Sequence, residues 1–223
     1  MADSKKYCWT EISSIPQKSG VYAWYYLPEI TDFDLRKIID EIELHQQNGD
    51  SESSYNLVKY FLQNFLFRYF QEEPYQATLR GALKPKYEGF VEHKPELSED
   101  LLMRIVEEPE RLITVKKVLE KSAPDFASPI YIGMSENLGN RLKRHKSLIE
   151  KYSSQSSSQS NLQQSYNKES EDRDKSFAMR ICARSIPPTR LFVMVNVLED
   201  TGKRYVDIEN ILNRIHYPLL GRN

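Results

Sequence analysis

The 223-residue chain has little cysteine, little histidine and no long apolar run. Cys8 and Cys182 are its only thiols, too few for a disulfide framework or a thiolate zinc site. A reducing, cytoplasmic setting is the expectation that follows. The four histidines (His45, His93, His145 and His216) are scattered, with no HxxxH or HxH spacing. A transition-metal cage is therefore not expected, and a metal would be a hard ion on carboxylate oxygen. No segment reaches the roughly eighteen apolar residues of a membrane span. The opening "MADSKKYCWTEISSIP" lacks an apolar signal core, so export is not expected either. A net charge of -1 argues against a chain that simply coats nucleic acid.

Charge is present in quantity but unevenly placed. Between Leu27 and Ser128 acids exceed bases by roughly seven, and the two flanks together carry an excess of about six bases. The pattern fits a nucleic-acid-facing core interrupted by an acidic insertion. It fits two unrelated solvated surfaces as well.

Periodicity places the elements. A polar lead-in holds a short helix near Trp9 to Ser13. "GVYAWYYL", from Gly20, is aromatic and β-prone and ends at Pro28. "DFDLRKIIDEIELHQQ" has apolar residues at helical spacing, with Asp32 or Asp34 as cap. "SSYNLVKYFLQNFLFRYFQEE" reads as a more apolar helix buried on two sides. "YQATLRGALKPKYEGFVEH" is a pair of short strands or an irregular arm. Two helical pieces follow, divided near Pro109 and ended by Pro124. After Tyr131-Ile132-Gly133 comes a helix to near Lys151. A Ser/Gln-rich stretch near 152–175 has almost no apolar residues to offset its ordering entropy and reads as a mobile loop. A helix from Phe177 to Ser185, a central strand "RLFVMVNVLE", a turn at Asp200-Thr201-Gly202 and a helix "RYVDIENILNRIHY" complete the chain. That last helix is expected to bury Val206, Ile208, Ile211, Leu212 and Ile215.

The stretch "SPIYIGMSENLGNRLKRHKS" carries the sharpest chemistry. Arg141, Arg144 and His145 lie three to four positions apart on one helical face, flanked by Lys143 and Lys146. A planar guanidinium suits bidentate recognition of phosphate. An imidazole beside it can take or relay a proton near neutral pH. A solvated basic helix would look similar in isolation.

The surrounding motifs resemble those of the GIY-YIG nuclease superfamily. Gly20-Val21-Tyr22 stands as the first motif and Tyr131-Ile132-Gly133 as the second. Arg141 follows Tyr131 by ten residues, His145 comes four later, and "IENILNRIHYPLLGRN" is similar to the family's metal helix with Glu209 as its acid. The likeness covers about residues 9 to 26 and 128 to 223. It implies an α+β fold: a small central, mostly antiparallel sheet flanked by helices, split between 1–26 and 129–223. Residues 27–128 would be a mainly helical insertion.

The resemblance also implies roles. Tyr22 would activate or position the attacking water, and Tyr131 would hydrogen-bond in the same pocket. Arg141 would bind the scissile phosphate. His145 would assist proton traffic or hold Tyr22. Glu209 would hold one Mg²⁺ (or Mn²⁺), and the terminal Asn223 would bind phosphate or pin the loop after the metal helix; Asn213 does not fit that part better. Departures from the family are the long separation of the two motifs and Met134, where many members carry a polar or basic residue.

The implied function is a metal-dependent endonuclease that cleaves DNA, with a plan similar to the small type II restriction enzymes of the superfamily. Those commonly act as dimers, which is consistent with a homodimer here. Lys143 and Arg144, together with Arg80, Lys84 and Lys86 of the arm, are the candidate nucleic-acid contacts. An acidic insertion suits a protein partner or a dimer interface better than DNA. The alternatives are a structure-specific repair nuclease, an RNA nuclease, and a non-catalytic binding module on the same fold.

Overall fold

The computed structural model describes residues 4–27, 30–68, 75–81, 84–91, 96–155, 173–198 and 205–220. The chain forms two compact units, Met1–Leu27 with Leu119–Asn223, and Pro28–Val118. The expected insertion, 27–128, extends further than the second unit. The difference lies in one continuous helix, Arg111–Phe126, which runs across the boundary and through Pro124. Among the described residues no helix is long and apolar enough to cross a membrane.

The discontinuous unit is built on an antiparallel four-stranded sheet. Numbered in chain order, its strands are β1 (Ser4–Cys8), β2 (Gly20–Tyr26), β5 (Tyr131–Ser135) and β6 (Leu191–Val197), arranged β1-β6-β2-β5. The fold is α+β. The apolar run of β6 is explained by its place between β1 and β2. β1 was not legible as a strand. It lies at the sheet edge with Tyr7 as its one buried residue, and its lysines lean on aromatic rings, Lys6 over Phe192 at 4.3 Å.

β2 and β5 are direct neighbours, with Tyr22 opposite Gly133 and Trp24 opposite Tyr131. The Ile130 N–H donates to the Trp24 carbonyl at 2.8 Å, so the two motif strands meet as a hairpin's strands do. Alternation then places Tyr22, Trp24, Tyr131 and Gly133 on one face. Against that face pack the 3₁₀ turn Trp9–Ser14, helix α5 (Leu138–Gln155) and helix α6 (Arg173–Ala183), contributing Ile12, Leu142, Ile149, Phe177 and Ile181 to the core. Of the expected mobile loop, 152–155 continue α5 and 173–175 open α6, while 156–172 lie outside the described residues, as does the turn expected at Asp200-Thr201-Gly202. The last helix, α7 (Tyr205–His216), packs against β5 and β2.

The start of α5 is fixed three ways. The Asn137 side chain accepts from the Asn140 N–H at 2.9 Å as an N-cap. The Leu138 and Gly139 N–H groups donate to the carbonyls of Lys18 and Pro16, in the segment leading into β2. These bonds tie the basic helix to the first motif strand.

In α7 only Ile208 and Leu212 of the expected apolar face turn inward. Val206, Ile211 and Ile215 are 38%, 57% and 63% exposed. The inward stripe is Tyr205, Ile208, Glu209, Leu212 and Asn213, at i, i+3, i+4, i+7 and i+8. The helix is rotated so that a carboxylate and an amide face inward.

The second unit holds α1 (Asp32–Gln47), α2 (Ser51–Phe61), a π-turn Leu62–Leu66, α3 (Glu99–Glu107) and the start of α4 (Arg111–Phe126). Their core includes Ile38, Ile42, Val58, Phe61, Leu102 and Ile105. Thr31, not Asp32 or Asp34, caps α1, and Asp34 completes the capping box. The expected long second helix gives way to the π-turn, and Tyr60 points outward. The arm is a hairpin of β3 (Tyr75–Gly81) and β4 (Lys84–Val91), with Leu79, Tyr87 and Phe90 exposed.

Candidate active site

The buried stripe of α5 runs Leu138, Leu142, His145 and Ile149. His145 is therefore a core residue, fully buried, while Arg141 and Arg144 flank it with side chains 30% and 54% exposed. The expected single basic face is thus graded from buried to solvated. Lys143 is exposed, and Lys146 donates to the Trp9 carbonyl at 3.2 Å and lies over that ring.

His145 is held from both ring nitrogens. The Trp24 indole N–H donates to Nδ1 at 3.2 Å. An indole N–H has no acceptor capacity, so Nδ1 carries no proton and the proton of the neutral ring is on Nε2. Nε2 lies 2.9 Å from Asp174 Oδ1 and 3.4 Å from the Tyr22 hydroxyl. Burial lowers the His145 pKa below its ordinary value, against the opposing pull of Asp174. The Nε2–H thus donates to Asp174 Oδ1, with the Tyr22 hydroxyl beside it at 3.4 Å. In this form neither ring nitrogen offers a free lone pair, so of the two expected roles, assisting proton traffic or holding Tyr22, the geometry suits the second.

Arg141 connects the site. Its charge acts on the phenols of Tyr22 and Tyr131, opposing the rise of both pKa values, and its Nη2 lies 2.6 Å from Asp174 Oδ1. Burial disfavours its charge, but the two phenols and Asp174 outweigh that and hold its pKa above the usual value. Arg141 Nε is buried with no hydrogen-bond partner among the described residues.

Burial drives the Tyr22 pKa well above that of a free phenol, with Tyr131 adding to it and Arg141 opposing. Tyr131 is raised in the same way, again with Arg141 opposing. Tyr22 is 2% exposed, whereas Tyr131 is half-buried, so Tyr131 is the more accessible phenol. Their rings lie 6.2 Å apart. Gly133 makes room for this pair: a Cβ there would stand 2.5 Å from the Tyr22 hydroxyl.

Glu209 is turned inward on α7, and its charge acts on the Tyr131 phenol. Asn213 Nδ2 donates to Glu209 Oε1 at 3.0 Å and to the Glu209 carbonyl at 2.9 Å, which holds the carboxylate rotamer. The start of α7 is tied to the β5–α5 turn by the Tyr205 hydroxyl, which donates to Glu136 at 2.9 Å. Among the described residues no three His, Cys, Asp or Glu cluster as a metal cage. A single inward carboxylate fits Mg²⁺, which keeps most of its waters and takes substrate phosphate as a further ligand.

Five residues named from the sequence therefore share one region of the first unit: Tyr22, Tyr131, Arg141, His145 and Glu209. Asn223 lies outside the described residues. Arg80 and Lys86 belong to the second unit, on the hairpin; both are exposed, and Lys86 is paired with Glu88. Lys84 opens β4, and its side chain lies outside the described part. Asp174, fully buried and also 3.3 Å from Arg144 Nε, is the site residue that sequence reasoning missed. Its neighbours along the chain, Glu171, Asp172, Arg173 and Lys175, are all charged, and composition assigned them to the mobile loop. The one available signal was the apolar spacing of Phe177 and Ile181, which extends backwards by a turn to Asp174. No family model, curated protein or solved structure matches this chain.

Proposed function

We propose that the protein is a divalent-metal-dependent endonuclease of the GIY-YIG type, hydrolysing DNA phosphodiesters by water attack. The observation that carries this reading is the convergence of Tyr22, Tyr131, Arg141 and Glu209 from β2, β5, α5 and α7. Stability does not call for that arrangement. A helix with an apolar alternative exposes Ile211 and Ile215 and turns Glu209 inward.

The chain's own groups divide the work as follows. Arg141 faces both phenols and carries the positive charge that would meet a phosphate oxygen and the charge developing on it. The Tyr22 hydroxyl lies 3.4 Å from His145 Nε2 and within the field of the Arg141 charge, which favours its ionised form. Tyr131, the more open phenol, would hydrogen-bond the attacking water. One Mg²⁺ or Mn²⁺ ion at Glu209, when bound, supplies the positive charge that polarises the phosphate and lowers the phenol and water pKa values.

Within this reading DNA is the partner, and a second copy of the chain would bring a second site to the opposite strand. The acidic unit would serve that contact or another protein. A non-catalytic binding module is the second reading. It is favoured by the near-complete burial of Tyr22 and by the occupation of Arg141 by Asp174.

The test is purified protein with supercoiled plasmid and Mg²⁺, beside Glu209→Ala. Discrete fragments from the wild type alone support a restriction-like enzyme. Cutting confined to branched DNA, or to RNA, moves the substrate but keeps the chemistry. Binding without Mg²⁺-dependent cleavage of any nucleic acid would establish the module instead.

A further inference from the structure

The described side chains include one fully buried carboxylate, Asp174, and it lies against the site rather than in it. Asp174 is the second residue of α6, whose N-terminal end favours negative charge. Its Oδ1 is shared between Arg141 Nη2 at 2.6 Å and His145 Nε2 at 2.9 Å, and its Oδ2 lies 3.3 Å from Arg144 Nε. One carboxylate thus touches three α5 side chains within about one helical turn. Two of these, Arg141 and His145, are the groups that reach Tyr22.

We propose that Asp174 is the positioning residue of this site: it fixes His145 in the Nε2–H form and sets the plane in which Arg141 reaches the two phenols. The proposal rests on the nuclease reading for its catalytic consequence but not for its structural content. Trp24 and Asp174 act on opposite ring nitrogens, one as donor and one as acceptor, and both select the same form. A ring held this way presents N–H, not a lone pair, to the Tyr22 oxygen. Without the carboxylate, Nε2 loses its acceptor and the guanidinium loses its buried anchor. The arrangement follows the general logic in which an acidic group acts through a histidine without touching the reacting atoms.

Asp174→Asn keeps the shape and removes the charge. Its amide can still offer one oxygen, but it also places an N–H₂ against two donors. The expected result is a fall in kcat of about 10² to 10⁴ with KM changed far less. In parallel, ¹⁵N NMR of the imidazole should show the Nε2–H form in the wild type and in Asp174→Asn, where Trp24 still occupies Nδ1, and a mixture of forms in the double variant Trp24→Phe/Asp174→Asn. A second variant, Trp24→Phe, leaves Asp174 in place and should keep the Nε2–H form. Loss of that form in Trp24→Phe, or its full retention in Trp24→Phe/Asp174→Asn, would overturn the proposal. If the wild type cleaves and Asp174→Asn matches it in kcat, the positioning role fails while the nuclease reading stands. If the wild type cleaves nothing but the imidazole responds as expected, the nuclease reading fails and the positioning role stands.

Discussion

Gly133 lies directly beneath the Tyr22 hydroxyl, so close that a single added methyl would stand 2.5 Å from that oxygen and 2.9 Å from the Tyr131 ring. The two are paired across the β2–β5 ladder, so neither can move away without breaking strand register. Gly133→Ala should therefore displace the phenol. Overpacking of this kind costs about 1–3 kcal/mol, and a misplacement near 1 Å is worth roughly 10²-fold in rate. Circular dichroism should stay native while cleavage drops by that factor; an alanine variant with wild-type rate would show that Tyr22 is not placed by this contact.

Charge bookkeeping at the site leads to a second expectation. Arg141 and Arg144 carry two formal positive charges, Asp174 and Glu209 two negative, and His145 is neutral. The sum is zero, so the site by itself has little attraction for a phosphodiester. Chelation with EDTA should abolish cleavage, and re-addition of Mg²⁺ or Mn²⁺ should restore it. Glu209→Gln keeps the Asn213 contact and the helix, and should lose at least about 10²-fold in rate with no change in Tm. Isothermal titration of Mg²⁺ into wild type and variant checks the binding part separately.

Acid should destabilise the first unit through His145. Its pKa is lowered by burial in the folded state, while the unfolded chain titrates near the ordinary value of about 6.5. Below that value the unfolded chain binds a proton the folded one refuses, so stability rises with pH across the window from the lowered pKa up to about 6.5. Melting curves from pH 7 to pH 5 should show Tm falling. In His145→Gln the part of that slope due to the imidazole should disappear; an unchanged slope would mean that other groups carry it.

The two arginines beside Asp174 should respond differently to truncation. Arg141 is mostly buried, and its removal leaves a buried carboxylate short of its nearest cation. Breaking such a pair typically costs about 3–5 kcal/mol, at the lower end here because Arg144 and His145 remain. Arg144 is more exposed, and such pairs are worth about 0–1 kcal/mol. Denaturant midpoints of Arg141→Ala and Arg144→Ala, read side by side, decide this. Cleavage should be lost in the first, and in the second only weakened in a salt-dependent way.

Much of the fold was readable where local pattern and tertiary environment agree. β6 is a nearly continuous apolar run because both its edges are paired and Leu191, Phe192, Val193 and Val195 are buried, and α5 shows its N-cap, its stripe and its cations in order. β1 was hidden because an edge strand has one buried side chain and solvated lysines, a pattern that looks like a tail. The face of α7 was misjudged because hydrophobic periodicity ranks Ile211 and Ile215 above Glu209, whereas the fold places Glu209 and Asn213 inward. Asp174 was missed for a different reason. A carboxylate set among charged and polar neighbours has no local sign that three nitrogen donors from another helix will enclose it.

The pairing of β2 with β5 has a consequence for how the chain is made. About a hundred residues separate two strands that a tight turn could have joined, and closing so long a loop costs roughly 3 kcal/mol more than closing a turn. At ribosomal rates of about 5–20 residues per second, β2 emerges several seconds before β5, and longer still before β6. During that interval "GVYAWYY" has no partner on either edge. Nascent chains should therefore depend on early folding of the intervening helices to bring the strand ends together, or on a chaperone to cover them until β5 and β6 have been made.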